Sequence, residues 1–340
     1  MSDPLNVIAV VVTHNKLDVL ARAVQALRQQ TCPPARVIVV DNASTDGTAD
    51  WLCSQPDLSP LRLPTNTGGA GGFHFGVKEA YAQGTDWIWL LDDDCIARPT
   101  ALEELLKVAR ACPEAAFLNS LALWRDGTPC RMNVPPAAWS WTDFVQESEP
   151  KFPIASCSFV SCLVNAAYVR GCGFPIKQFF IWCDDFEYTR RLASAGPGYL
   201  VPRSVVVHET KENIAVDWTT VNDANVWKFS YGIRNELSII AHRGRLGLPR
   251  AAIRLLEIFA VLHRAHVAKR LQLKLLMDAL RGLTWDYRRC IEAPGREGAK
   301  TRQAMRHQGE PAWQRDSNEQ LTRVGVSAIA RQEETRSLRR

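Results

Sequence analysis

The chain has 340 residues, 46% hydrophobic and 23% charged, with a formal net charge of +5. It is long enough for one large or two modest domains with a sizeable core, and its composition excludes disordered and fibrous classes. Basic residues crowd the region after about residue 240 while acids gather in the runs DDD (92–94) and WCDD (182–185), which points to an anionic partner such as a membrane surface, and not to a nucleic-acid groove.

The start, MSDPLNVIAVVVTHNK, puts an acid where a signal peptide carries basic charge, and its apolar run is too short to span a bilayer. A cytoplasmic location is expected. Ten cysteines are scattered without a CxxC pair, and spacings such as Cys157 to Cys162 match no usual zinc site. They read as small buried hydrophobes in a reducing compartment.

In chain order, VIAVVVT (7–13) is a β-branched strand buried on both faces, and LDVLARAVQALRQQ (17–30) has helical spacing at Leu17, Leu20, Val24 and Leu27. ARVIVVD (35–41) is a second strand, and NASTDGT a turn whose Ser44 or Thr45 caps a short helix around Trp51. LRL (61–63) is a short third strand, FHFGVKEAYAQG (73–84) a helix and TDWIWLL (85–91) a fourth strand. This alternation implies an α/β fold with a mostly parallel, doubly wound sheet, whose ligands bind beyond the carboxyl ends of the strands. Three strand ends carry polar signatures: Thr13 to Asn15, Asp41 with Asn42, and Asp92 to Asp94.

RPTALEELLKVARA (98–111) reads as a helix, 124–153 as a loop-rich segment able to shape a substrate pocket, and 155–174 as a strand and short helix. A second acid pair, Asp184 and Asp185, leads into a helix stopping at Gly196, on which Glu187 and Arg191, four apart, can pair, and GYLVPRSVVVHET contains a strand ending at His208. Residues 248–280 have helical period with a strongly basic face, and the tail from 290 is polar and aperiodic, hence expected to be mobile. The basic stretch is open to two readings, an interfacial membrane contact and a helix packed on the catalytic domain.

Three adjacent carboxylates raise one another's pKa, so the run 92–94 calls for a cation, either basic side chains or a hard divalent metal. Six segments, VVVTHNK, VIVVDNASTDGT, NTGGAGG, WLLDDDC, FFIWCDDFEYTRR and VVHET, occur in an order and spacing that resemble the inverting family 2 glycosyltransferases of GT-A fold. The resemblance covers roughly residues 6–240 and is greatest to the galactofuranosyl- and rhamnosyltransferases that build bacterial surface polysaccharides.

The resemblance implies a GT-A domain over 1–240, with a nucleotide-sugar half to about 97 and an acceptor half over 98–240, then a basic helical extension over 241–289 and a tail over 290–340. It implies a nucleoside-diphosphate sugar donor, a glycan or polyprenyl-linked acceptor, no nucleic acid, and a Mn2+ or Mg2+ cofactor. By the same resemblance Asp94 and His208 bind the metal, with Asp92 and Asp93 on the metal shell or the donor's ribose. Asp185 is implied as the general base and Asp184 as the acid that orients the acceptor or tunes that base. Thr13, Asn15 and Asp41 are implied for the base and ribose, and Asn66 and Gly69 for close backbone approach to the donor.

Structural readings compete at each place: capping or surface acids for 92–94, a satisfied structural histidine for His208, first-turn helix acids for Asp184 and Asp185, and a plain tight turn for NTGGAGG. Two other functions stay open, a nucleotidyltransferase of similar fold and an inactive sugar-nucleotide-binding scaffold. A peripheral position at the inner face of the plasma membrane through 248–280 is expected.

Overall fold

A computed structural model describes residues 5–136 and 150–295, so the loop-rich stretch is described only in part and the tail beyond 295 lies outside the described residues. β1 (Val7–Thr13), α1 (Leu17–Arg28), β2 (Arg36–Asp41), α2 (Thr48–Cys53), β3 (Leu58–Arg62), α3 (Gly68–Ala82) and β4 (Trp87–Asp92) follow the alternation expected from the sequence. β1 lies between β2 and β4, parallel to both, and β3 extends the parallel set.

Side-chain alternation along β1 explains its composition. Val7, Ala9 and Val11 enter one apolar core with Leu20, Val24 and Leu27 of α1, whereas Ile8 and Val10 enter a second with Phe73 and Val77 of α3. A strand covered on both faces has no solvent side, so it reads as an unbroken β-branched run. Each fully buried Val, Leu or Phe here contributes about 1.5–3 kcal/mol.

β5 (Cys95–Ala97), α4 (Ala101–Ala111), β6 (Phe117–Leu123), β7 (Phe152–Ile154), β8 (Cys162–Asn165), α5 (Ala166–Cys172), α6 (Asp184–Ala193) and β9 (Gly198–His208) complete the α/β part. The sheet runs β3-β2-β1-β4-β8-β6-β9-β5, with β7 beside β9. β6 and β9 are parallel, while β8, β5 and β7 pair antiparallel, so the sheet is mixed with a mostly parallel centre.

Three local expectations change. α3 starts inside the glycine run instead of after it, because Gly72 and Gly76 let the helix lie on Val12 and Val10 of β1, where a Cβ would collide. Asp46, not Ser44 or Thr45, accepts the Thr48 amide at the start of α2. The basic stretch is two helices, α8 (Gly247–Arg264) and α9 (Lys269–Thr284), joined by a turn in which His266 has φ 54° and Val267 is buried. They pack with α7 (Val226–Ala241), which the sequence reading did not foresee, around Phe229, Ile233, Leu237, Ile258 and Leu275. Among the described residues no helix is long and apolar enough to cross a membrane.

Candidate functional site

A cleft of about 870 Å³ opens at the carboxyl ends of β1, β2 and β4 and is closed on its far side by α6, α7 and α8. Its walls include Thr13, Lys16, Asn66, Gly69, all three acids of the 92–94 run, Asp184, Asp185 and His208.

The first acid cluster is built by a strand reversal. β4 ends at Asp92, and β5 turns back against β9 with Cys95 opposite His208. That pairing sets His208 Nε2 3.1 Å from Asp94 Oδ1. Potential ligand atoms of Asp92, Asp94 and His208 all lie within 4.8 Å of one another. Nδ1 of His208 faces Asn133 Oδ1 at 2.7 Å and can donate its proton there, which turns Nε2 toward the acids, where a metal would have to displace the Nε2 proton to bind.

Lys16 covers the cluster from the loop after β1. Its Nζ lies 3.0 Å from Asp93 Oδ1 and 2.9 Å from Asp94 Oδ2, and Thr13 donates to Asp93 Oδ2 at 2.9 Å. Charge is therefore unevenly shared. Burial and the neighbouring Asp94 push Asp92 up to about 7. Burial also raises Asp93, against the pull of Lys16. Asp94 sits well below the usual carboxylate range, because the His208 hydrogen bond and Lys16 outweigh its burial. His208 rises to about 10, its own burial overcome by Asp94, Cys130 and Asp92. Two carboxylates and one imidazole suit a hard or borderline divalent ion, and such an ion would offset the burial and the repulsion from Asp94 that keep Asp92 high.

Among the described residues the second acid cluster makes no ion pair. Burial and Asp185 raise Asp184 well above the usual carboxylate range, and Asp92 adds to the effect. Burial pushes Asp185 up to about 6, partly offset by the Phe186 amide, which donates to its Oδ1 at 2.6 Å. Both stand in the first turn of α6, where the helix dipole favours negative charge. Glu187 and Arg191 of this helix form the i,i+4 pair expected from the sequence, buried and 2.8 Å apart, with Arg191 also donating to Phe174 O.

The loop that delivers the second cluster is strained. Phe180, Trp182 and Cys183 have φ of 65°, 65° and 67°, an arrangement that costs on the order of 1–3 kcal/mol per residue. Asn235 of α7, fully buried, holds it: its Nδ2 donates to the carbonyls of Phe179, Ile181 and Trp182 at 3.0, 3.1 and 2.9 Å. Three acceptors share two amide hydrogens, so the contacts act as one clamp. The Phe180 carbonyl in turn accepts from the Ala70 amide in the first turn of α3. Gly68, at φ 72°, leaves room for that carbonyl, which a Cβ would strike. The glycine run thus couples the start of α3 to the loop that carries the second acid cluster.

Not every expected residue reaches the cleft. Asp41 is fully buried, accepts from the Ser44 amide at 2.8 Å and has Arg62 Nε 3.6 Å from its other oxygen. Asn15 accepts from the Thr45 amide at 2.7 Å, and Asn66 from the Gly68 amide at 2.8 Å. Asn66 and Gly69 line the cleft, and a Cβ on Gly69 would meet open space. Trp182 lines it too, while packing edge-on against Phe229 at 5.1 Å. Lys16, Asn133, Asn235 and Glu236 were not singled out from sequence, and Arg254, read only as part of the basic stretch 248–280, pairs with Glu236 in the cleft wall.

Residues 8–133 match the sequence model of the family described as Glycosyl transferase family 2. Galactofuranosyltransferase GlfT1 of Mycobacterium tuberculosis is 34% identical over 205 residues, 56% of this chain and 66% of that protein. The chain thus covers slightly under two thirds of that relative's length. N-acetylglucosaminyl-diphospho-decaprenol L-rhamnosyltransferase of the same organism is 26% identical over 254 residues, 64% of this chain and 80% of the relative. The crystal structure of GalNAc-T7 with UDP, GalNAc and Mn2+ superposes with a TM-score of 0.54 at 15% identity, covering 69% of this chain and 47% of that one, a likeness of fold alone.

Proposed function

Residues 8–133 being a glycosyl transferase family 2 domain, we propose that the chain is an inverting, metal-dependent glycosyltransferase that moves galactofuranose or rhamnose from a nucleoside-diphosphate donor to a glycan or polyprenyl-linked acceptor in cell-surface polysaccharide synthesis. The observation that carries the reading is the meeting of two unlike acid clusters in one cleft. In one, Lys16 and His208 hold Asp94 low although burial keeps Asp92 and Asp93 raised; in the other, both carboxyls are raised.

In this reading Asp92, Asp94 and His208 hold Mn2+ or Mg2+, and the nitrogen ligand favours manganese. The ion supplies Lewis-acid stabilisation to the departing diphosphate. Asp185 accepts the proton of the acceptor hydroxyl as that oxygen attacks the anomeric carbon, and its pKa of about 6 leaves it ionised at neutral pH yet more basic than a free carboxylate. Asp184 orients the acceptor or tunes that base, with burial and Asp185 holding its pKa above the usual carboxylate range. Inversion needs one base and no covalent nucleophile. Thr13 and Lys16 fix the acid run, Asp93 contributes to the donor's ribose, and Asn66 and Gly69 form the backbone wall against the donor.

Asp41 and Asn15 serve the nucleotide base by shaping the loops between β1 and β2, consistent with their contacts to Ser44 and Thr45. The GT-A domain extends to about residue 240 in this reading, with the basic helices beyond it. α8 and α9 carry exposed Leu256, Leu273 and Met277 together with Arg264, Lys269, Arg270 and Lys274, which supports peripheral attachment to an anionic membrane on the cytoplasmic side.

The test is transfer and donor hydrolysis with nucleoside-diphosphate galactofuranose and rhamnose, with and without Mn2+. Manganese-dependent release of nucleoside diphosphate from one donor is the expected result. Absence of turnover with every donor and metal, in a folded protein, overturns the reading.

A further inference from the structure

Beside the cleft lies a second cavity of about 680 Å³ to which the reading above gives no role. Phe180 belongs to the walls of both. The lining of the second carries three cations, Lys177, Arg234 and Arg281, and no acid. Much of the remainder is aromatic: Phe180 stacks on Tyr231 at 4.8 Å, and the Arg234 guanidinium lies over the rings of Tyr231 and Trp285 at 4.9 and 4.7 Å.

The cations are not equally compensated. Lys177 meets Glu292 at 2.6 Å and Arg281 meets Asp278 at 2.9 Å, both acids outside the lining. Arg234 makes no ion pair among the described residues and donates to the carbonyls of Gln178 and Phe179 and to the Asn235 side chain. Burial lowers its pKa, as expected of a guanidinium held out of water without a contacting carboxylate. Such a planar donor on aromatic faces is suited to a phosphate.

The surroundings add an apolar requirement. Arg281 stands one turn after Met277 and next to Leu280 on α9, and both apolar side chains are about half exposed. A molecule with its anion among the three cations would have apolar surface waiting beside it. Phe180, on the opposite wall, leads to the cleft that holds Asp184 and Asp185.

We propose that this cavity binds the diphosphate ester of a lipid-linked acceptor, with the anion against Lys177, Arg234 and Arg281 and the first units of the lipid chain on α9 beside Met277 and Leu280. The inference rests on the lipid-linked acceptor of the proposed function and adds where its carrier sits. The donor's diphosphate belongs elsewhere, at Asp92, Asp94 and His208, so the two anions occupy separate sites.

Calorimetric titration of the full chain in the presence of a chelator, which silences the metal site, tests it with farnesyl diphosphate, farnesol, inorganic diphosphate and glycerol phosphate. Farnesyl diphosphate should bind, and the other three at least about tenfold more weakly, because each lacks the anion or the chain. Lys177→Gln with Arg281→Gln, both partly exposed side chains, should weaken farnesyl diphosphate about tenfold or more while the protein melts as before. No binding of farnesyl diphosphate, or binding the double variant leaves unchanged, overturns the proposal. Equal binding of inorganic diphosphate would make the cavity a free-anion site, and equal binding of glycerol phosphate a headgroup site; either result overturns it as well. Donor turnover with manganese is measured separately, so a protein that turns over donor but ignores farnesyl diphosphate refutes this inference and not the glycosyltransferase reading.

Discussion

The two acid clusters of the cleft are chemically alike but differ in the groups that face them. At 92–94 the carboxylates meet Lys16 and His208, and Asp94 is held low while burial keeps Asp92 and Asp93 raised. At 184–185 no ion pair forms among the described residues, and both pKa values rise. In the proposed reading the first arrangement serves a divalent cation, and the second makes one carboxylate a better proton acceptor. Burial acts on both; the neighbours decide the outcome.

The largest effect should come from breaking the first cluster. Asp94→Ala removes a proposed ligand, and turnover in the proposed reaction should fall by about 10³-fold or more while the fold survives, as circular dichroism would check. Normal activity in the folded variant would break the contrast at its metal side.

Asp185→Asn removes the basic oxygen but keeps the shape, so the rate should fall by roughly 10²- to 10⁴-fold with donor affinity nearly unchanged. In the unmodified protein kcat/KM should rise with pH through about 6, where Asp185 loses its proton. Stability gives an independent sign. A folded pKa of about 6 lies above the unfolded value, so the wild type loses stability as pH rises through that window and the Asn variant does not. The variant should therefore melt higher above pH 6, and the gap should close below about pH 4. A gap that persists in acid would mean that Asp185 is not the group being read.

Asn235→Ala should lower kcat about 10- to 100-fold by releasing the strained loop before Asp184, since small misplacements of reacting groups cost up to about 10². Donor affinity should change less than kcat, because Asn235 contacts the loop before Asp184 and Arg234 but none of Asp92, Asp94 and His208. Smaller still is a paired glycine test. Gly68→Ala should destabilise the protein by a few kcal/mol in order of magnitude and impair transfer, because a Cβ there meets the Phe180 carbonyl at a positive φ. Gly69→Ala, with open space at its Cβ, should melt within about 1 kcal/mol of the wild type. Equal effects at the two positions would contradict the coupling of α3 to the loop.

What the sequence revealed follows from how local each feature is. Strands buried on both faces announced themselves as VIAVVVT and WIWLL, and the polar residues that end them marked the cleft. Glu187 with Arg191 was legible because four residues on a helix suffice to specify the contact. β5 has only three residues and hence no period, so the step that brings His208 to Asp94 was invisible. Lys16 stood in a quoted motif, yet a half-exposed lysine past a strand has no signature of its own. Asn235 grips a loop more than fifty positions earlier, a contact that no window of sequence encodes. The glycine run read as a loop because glycine disfavours helices, but close packing on Val10 and Val12 overrides that preference.

Calorimetric titration with Mn2+ of the wild type, Asp94→Ala and Asp185→Asn tests the division of labour between the two clusters most directly. The account predicts one ion per chain in the wild type, the same affinity in Asp185→Asn although that variant transfers almost no sugar, and no binding in Asp94→Ala. Manganese binding that survives in Asp94→Ala, or that disappears in Asp185→Asn, would contradict it.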